Sequence, residues 1–188
     1  MHLDKINNKI RKQMSFIKKK IISNKFIVFE LEADSTISSE YVLLMHFLGD
    51  IDTNLEKKIS EYLVNRQNKD GGWPLFYGGE SNLSASVKSY FALKLSGYDE
   101  NTRLMLSAKK KIHELGGAEN SNVFTRISLA LFQQIRWETI PSMPIEIMSL
   151  PKWFPFHLSK ISYWSRTVLV PLLIIMRKKP YANNPNNI

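Results

Sequence analysis

The chain has 188 residues, is 44% hydrophobic and 11% aromatic, and carries a formal net charge of +9. That is enough apolar material for one domain with a real core. The absence of cysteine excludes a disulfide framework and thiolate chemistry, and it fits a cytoplasmic or cytoplasm-facing location.

The charge is concentrated at one end. Residues 1–25 hold eight basic side chains, Lys5, Lys9, Arg11, Lys12, Lys18, Lys19, Lys20 and Lys25, against Asp4 alone, a balance of +7. The remainder is close to neutral. No signal-peptide layout precedes it. Residues 4–22 are predicted to form a basic amphipathic helix, with Ile6, Ile10, Phe16, Ile17 and Ile21 as its apolar positions. Such an arm can meet anionic lipid or nucleic acid, or simply present a solvated face. Nucleic acid is the poorer partner, because the basic residues sit on one short arm and no known binding module follows. Residues 1–25 are therefore set apart from a helical body over 26–180 and a polar tail over 181–188.

The body reads as successive helices. The first spans 35–48, capped by Asp34 or Ser35, with Tyr41, Leu44, Met45 and Leu48 at helical spacing. Asp50 and Asp52 lie in a turn, and Thr53 with Glu56 is read as a capping box for the next helix, which runs to about Arg66. Then comes Gln67-Asn68-Lys69-Asp70-Gly71-Gly72-Trp73-Pro74. The two glycines can take left-handed angles, Gln67 can satisfy orphan backbone groups, and Trp73 can fold back over the helix end. A glycine-capped stop with a surface Trp is the other reading. Further helices are expected over 83–96, 101–114 and 121–135, with glycine stops at Gly97 and Gly116-Gly117. The Lys109-Lys110-Lys111 run is read as a solvated face.

From residue 137 the texture changes. Pro141, Pro144, Pro151 and Pro155 interrupt long helices, and Trp137, Trp153, Phe154 and Phe156 crowd the segment. A last helix is predicted over 160–177. Its apolar run falls short of the ~20 residues that span a bilayer. His2, His46, His113 and His157 have no spacing suited to zinc, and no nucleophile elbow, phosphate loop or dinucleotide fingerprint is present.

Gln67…Gly72-Trp73 resembles the QW motif of triterpene cyclases. Glu30-Leu31-Glu32-Ala33-Asp34 with Ser39 to His46, Ser84 to Lys94, Gly116-Gly117-Ala118 with Ser121 to Arg126, Pro144 to Leu158, and Ser162 to Thr167 resemble further ordered blocks of squalene–hopene cyclases. The chain departs from that pattern just before Glu30. There the family has another Gln…Gly-x-Trp element, and Ile21, Lys25 and Ile27 stand at the matching positions.

The resemblance implies an all-α fold, an incomplete α/α barrel of the terpene cyclase type. It implies cofactor-free, metal-free cyclisation of squalene or a similar polyprenoid to hopene or hopanol. That chemistry needs a strong acid to protonate an alkene, then a dry cavity whose π-faces stabilise carbocations. In the family the acid comes from an Asp-x-Asp-Asp motif further along, and none occurs here. No residue is therefore assigned a catalytic role, and the chain alone is expected to be inactive. By resemblance, Trp164, Ile161 and Leu169 line the substrate cavity, while Gln67, Gly72 and Trp73 are structural. The implied partners are the polyprenoid, the cytoplasmic side of a membrane as a peripheral surface, and a second polypeptide carrying the rest of a cyclase. A non-catalytic remnant or membrane-associated helical interaction module is the alternative.

Overall fold

The structure, a computed structural model, describes residues 2–22, 26–27 and 32–182. Lys25, Glu30, Leu31 and the expected polar tail from Asn183 lie outside them. The described residues form two compact units that meet at Ala33 and Asp34 in the sequence. The boundary expected after residue 25 therefore falls inside the first unit.

The first unit holds α1 (His2–Lys19), then β1 (Ile21–Ile22) paired antiparallel with β2 (Phe26–Ile27). The helix was expected to run on to residue 22. It stops earlier because Ile21 and Ile22 are β-branched residues that pair opposite Ile27 and Phe26. Ile21 thus leaves the helical face it was assigned to.

The second unit is helical, the class expected. It comprises α2 (Ser35–Leu48), α3 (Thr53–Arg66), α4 (Leu83–Leu95), α5 (Arg103–Glu114), α6 (Val123–Leu131) and α7 (Tyr163–Lys178). Two-residue strands β3 (Trp73–Pro74) and β4 (Ser81–Asn82) pair ahead of α4. Asp34 caps α2 and Asn82 caps α4, each accepting a backbone N–H with its side chain. Asp52 caps α3 through Asn54 and Leu55, so the capping box is corrected. Glu56 instead faces His46 Nε2 at 2.6 Å, tying α3 to α2. The α6 helix is shorter than expected at its carboxyl end, because Gln133 turns to a φ of 61°. Ser162 caps α7, which starts at Tyr163 rather than residue 160, since Leu158–Lys160 form a separate 3-10 turn.

Helix α4 is the centre. It is buried on both faces and packs against α2, α3, α5 and α6. One face joins Val42, Met45, Leu63, Trp73 and Met105 through Ala85, Ala92 and Leu93. The other joins Leu43, Ile112, Leu129 and Phe132 through Val87, Phe91 and Leu95. Phe91 and Phe132 meet edge to face at 5.3 Å. Small residues let α2 and α4 approach closely, with Ser39 Oγ 3.2 Å from Ser89 Oγ and also donating to the Ser35 carbonyl. Buried Lys88 pairs with Glu40 across the same contact. A third cluster, Ile127, Ala130, Trp137 and Ile140, receives Leu172, Ile175 and Met176 of α7. Ala182 is buried in the second cluster, with Leu129 and Phe132, and donates its N–H to the Leu131 carbonyl at 2.7 Å. The expected tail therefore begins after a docked residue.

A backbone test follows from the glycines. Gly71 has a φ of +93°, and a Cβ there would lie 2.5 Å from the Ser107 carbonyl oxygen. Gly78 has a φ of +75° with open space around it. Gly71→Ala is expected to cost about 3 kcal/mol and to lower Tm by roughly 6–12 °C. Gly78→Ala should cost about 1 kcal/mol. Thermal melts of the two variants check the difference; equal shifts would remove the close approach to α5 as the cause.

Candidate functional site

Two constellations carry the sequence-predicted residues, and they differ in kind. The first surrounds Gln67, Gly72 and Trp73. Helix α3 ends at Arg66 with orphan carbonyls. Trp73 is fully buried and donates its indole N–H to one of them, the Leu63 carbonyl, at 2.8 Å. The surface-Trp reading is overturned. Gln67 Nε2 donates to the Gly71 carbonyl at 2.8 Å and to the Leu104 carbonyl of α5 at 3.2 Å. The Trp73 backbone N–H donates to Ser86 Oγ of α4 at 2.9 Å. Of the two glycines, only Gly71 is left-handed. Gly72 is needed for proximity, because a Cβ would lie 2.5 Å from the Ser81 side chain. One short loop thus ties the end of α3 to α4 and α5.

Asp70 sits at the edge of this loop. It accepts from Ser81 Oγ at 2.7 Å and from the Gly72 N–H at 3.2 Å, and Lys111 Nζ approaches at 3.0 Å. Burial raises its carboxyl, but the hydrogen bonds from Ser81, Lys111 and Gly72 and the Lys111 charge together hold it below the ordinary carboxylate value. A carboxylate held ionised and occupied in this way is a brace, not a proton donor. Lys111 is thereby corrected from a solvated lysine to a partner of Asp70. Nothing local in the sequence signals a pair separated by 41 positions.

The second constellation is aromatic and open. Tyr163 and Trp164 start α7, with ring centroids 6.1 Å apart and edge to face. Trp164 is 79% exposed, so the described residues do not enclose it. Ile161, just before the helix, and Leu169, within it, are half-buried. Along α7, Trp164, Val168, Pro171 and Ile174 recur every three or four residues on the exposed side. The inner side carries Leu172, fully buried Leu173, Ile175 and Met176. Upstream, Trp153, Phe154 and Phe156 form a chain of edge-to-face rings, with Trp153 and Phe156 exposed. Each of these apolar, π-rich patches offers weak attraction to an alkene or a cation. Among the described residues, no group of three or more His, Cys, Asp or Glu is arranged to hold a metal ion.

Comparison with known proteins decides the family. The sequence model described as "Squalene-hopene cyclase N-terminal domain" matches residues 10–188. The chain belongs to that family. Its helical architecture is the one expected of the terpene cyclase type. A squalene–hopene cyclase of Zymomonas mobilis is 54% identical over 162 residues, covering 86% of this chain and 25% of that relative. The squalene–hopene cyclase of Alicyclobacillus acidocaldarius is 39% identical over 150 residues, covering 80% and 24%. A dammaradiene synthase of Dryopteris crassirhizoma is 39% identical over 151 residues, covering 80% and 22%. The chain therefore spans about a quarter of the length of the curated relatives it matches. Within this domain of the squalene–hopene cyclase family, the QW loop is densely hydrogen-bonded, and the start of α7 carries exposed aromatic rings.

The ion pair at Asp70 makes a pH prediction. Because its folded pKa is depressed, its contribution to stability is present above about pH 4, the unfolded value, and is lost as pH falls through the folded one. Asp70→Asn should lower Tm near pH 7, and the gap to the parent chain should narrow below pH 4. A gap that stays constant down the acid limb would show that the carboxylate charge is not its source.

Proposed function

We propose that this chain supplies the N-terminal part of a cofactor-free polyprenoid cyclase that acts on squalene or a similar polyprenoid at the cytoplasmic side of a membrane. Membership in the family and the activities for which its relatives are named support the substrate class. The observation that carries the reading is the exposed apolar stripe of α7 that begins with Trp164. Trp164 is 79% exposed, with Tyr163 edge to face beside it, so much of the indole is open to a hydrocarbon chain or a carbocation.

In this mechanism, protonation of a terminal alkene creates a cation, ring closures pass the charge along, and loss of a proton or capture of water ends the sequence. Trp164 stabilises charge, and Ile161 and Leu169 supply apolar wall. Gln67, Gly72 and Trp73 hold the helices that carry them. The 188 residues contain no Asp-x-Asp-Asp run. The acid is therefore assigned to residues outside them, on a continuation of the chain or on a second polypeptide.

The test is conversion of squalene, followed by gas chromatography. The chain is assayed alone and mixed with a polypeptide comprising the rest of the Zymomonas mobilis relative. Product from the mixture only is expected. Product from the chain alone would overturn the placement of the acid. Product from neither would favour a non-catalytic interaction module. In the active mixture, Trp164→Ala should lower turnover about tenfold, and Trp164→Phe less, as expected for a cation–π contribution of roughly 1–2 kcal/mol.

A further inference from the structure

Helix α1 has a surface whose chemistry points to a different partner from the one at α7. At about 100° per residue, Ile6, Ile10, Met14 and Ile17 fall within an arc of about 80°. All four are exposed. The stripe has basic borders on both sides. Lys9 stands on one, with Phe16 and Lys20, whose Nζ lies 6.0 Å from the Phe16 ring centroid. Arg11 and Lys18 stand on the other. Arg11, Ser15, Lys18 and Lys19 also border a shallow surface recess that reaches Met14 at the edge of the stripe. Lys5 and Lys12 extend the basic face, and Asp4 is the acidic residue of the helix.

We propose that α1 is a lipid-headgroup anchor that lies flat in the interface of an anionic bilayer. Ile6, Ile10, Met14 and Ile17 enter the acyl boundary, while the flanking lysines and Arg11 reach out to headgroup phosphates. Charge complementarity selects this occupant. An apolar stripe edged with cations matches a surface that is apolar below and negatively charged above. A second protein helix would satisfy the stripe but not the two basic borders. Nucleic acid would satisfy the borders but leave the stripe in water. No helix among the described residues is long and apolar enough to cross a membrane, so attachment is to one leaflet. The proposal rests on α1 alone and is independent of the cyclase reading.

The experiment floats the full chain with vesicles on a density gradient, which separates bound protein from aggregate. Vesicles are phosphatidylcholine alone or with roughly one-third phosphatidylglycerol. Binding is expected on the anionic vesicles only and should weaken as salt rises. Lys9→Glu with Lys12→Glu should reduce partitioning by at least about tenfold. Lys57→Glu with Lys58→Glu, an equal charge change on exposed residues of α3, should leave it within about twofold. Ile10→Ser with Ile17→Ser, which changes no charge, should also lose about tenfold. Circular-dichroism melts confirm that each variant is folded. Equal flotation with both vesicle types, or equal loss from the two charge variants, would overturn the proposal. So would binding to duplex DNA that displaces the chain from vesicles and survives the two serine substitutions.

Discussion

A single indole sets the geometry of the helical body. Trp73 is fully buried where α3 stops, and its N–H satisfies the Leu63 carbonyl that the helix end leaves open. The same residue's backbone N–H reaches Ser86 on α4, and the Gln67 amide reaches α5. A large apolar ring with one donor suits this task. It fills the gap between helices and does not leave a buried polar atom unpaired. The surrounding loop has little room to vary. Gly71 and Gly72 are each in near contact with a neighbour that a side chain would strike.

Helix α4 depends on that junction and in turn organises everything around it. A helix buried on two faces cannot show the usual one-sided apolar stripe. It resolves the conflict with alanines and serines where backbones approach closely, and with Phe91 and Leu93 where cores are filled. The buried lysine of α4 is tolerated because Glu40 on α2 pairs with it. The framework so built is rigid at the QW loop and open at the α7 surface. This division is compatible with the proposed hydrocarbon substrate. Binding such a molecule takes shape and π-faces, and few polar groups are called for.

The α7 stripe and the α1 stripe are both apolar and exposed, yet they are chemically distinct. The first begins with an indole, Trp164, and carries a proline within the helix. The second is aliphatic and bordered by cations. Pi-faces favour alkenes and carbocations, whereas cation-edged aliphatic stripes favour anionic bilayers.

Much of this was readable along the chain. The helices from α2 to α5 were legible because many of their signals are local: Asp34, Gly97 and the glycines near 71 and 116 act on adjacent backbone. The ordered blocks around Gln67 to Trp73 and around Trp164 carried the family, because they are contiguous. Contacts between distant residues were not legible. Burial of Trp73, the Asp70–Lys111 brace, the His46–Glu56 link and the docking of Ala182 on Leu131 each join positions that no periodicity relates. The end of α1 was misjudged for a similar reason. Ile21 fits a helical stripe by spacing, but pairing with Ile27 requires a strand. The sequence by itself determined which segments are broadly helical and which family they belong to, because those depend on neighbours in the chain. Which charges are paired, which Trp is buried and which is exposed depended on the packed helices, because solvent exclusion is a property of the assembled core.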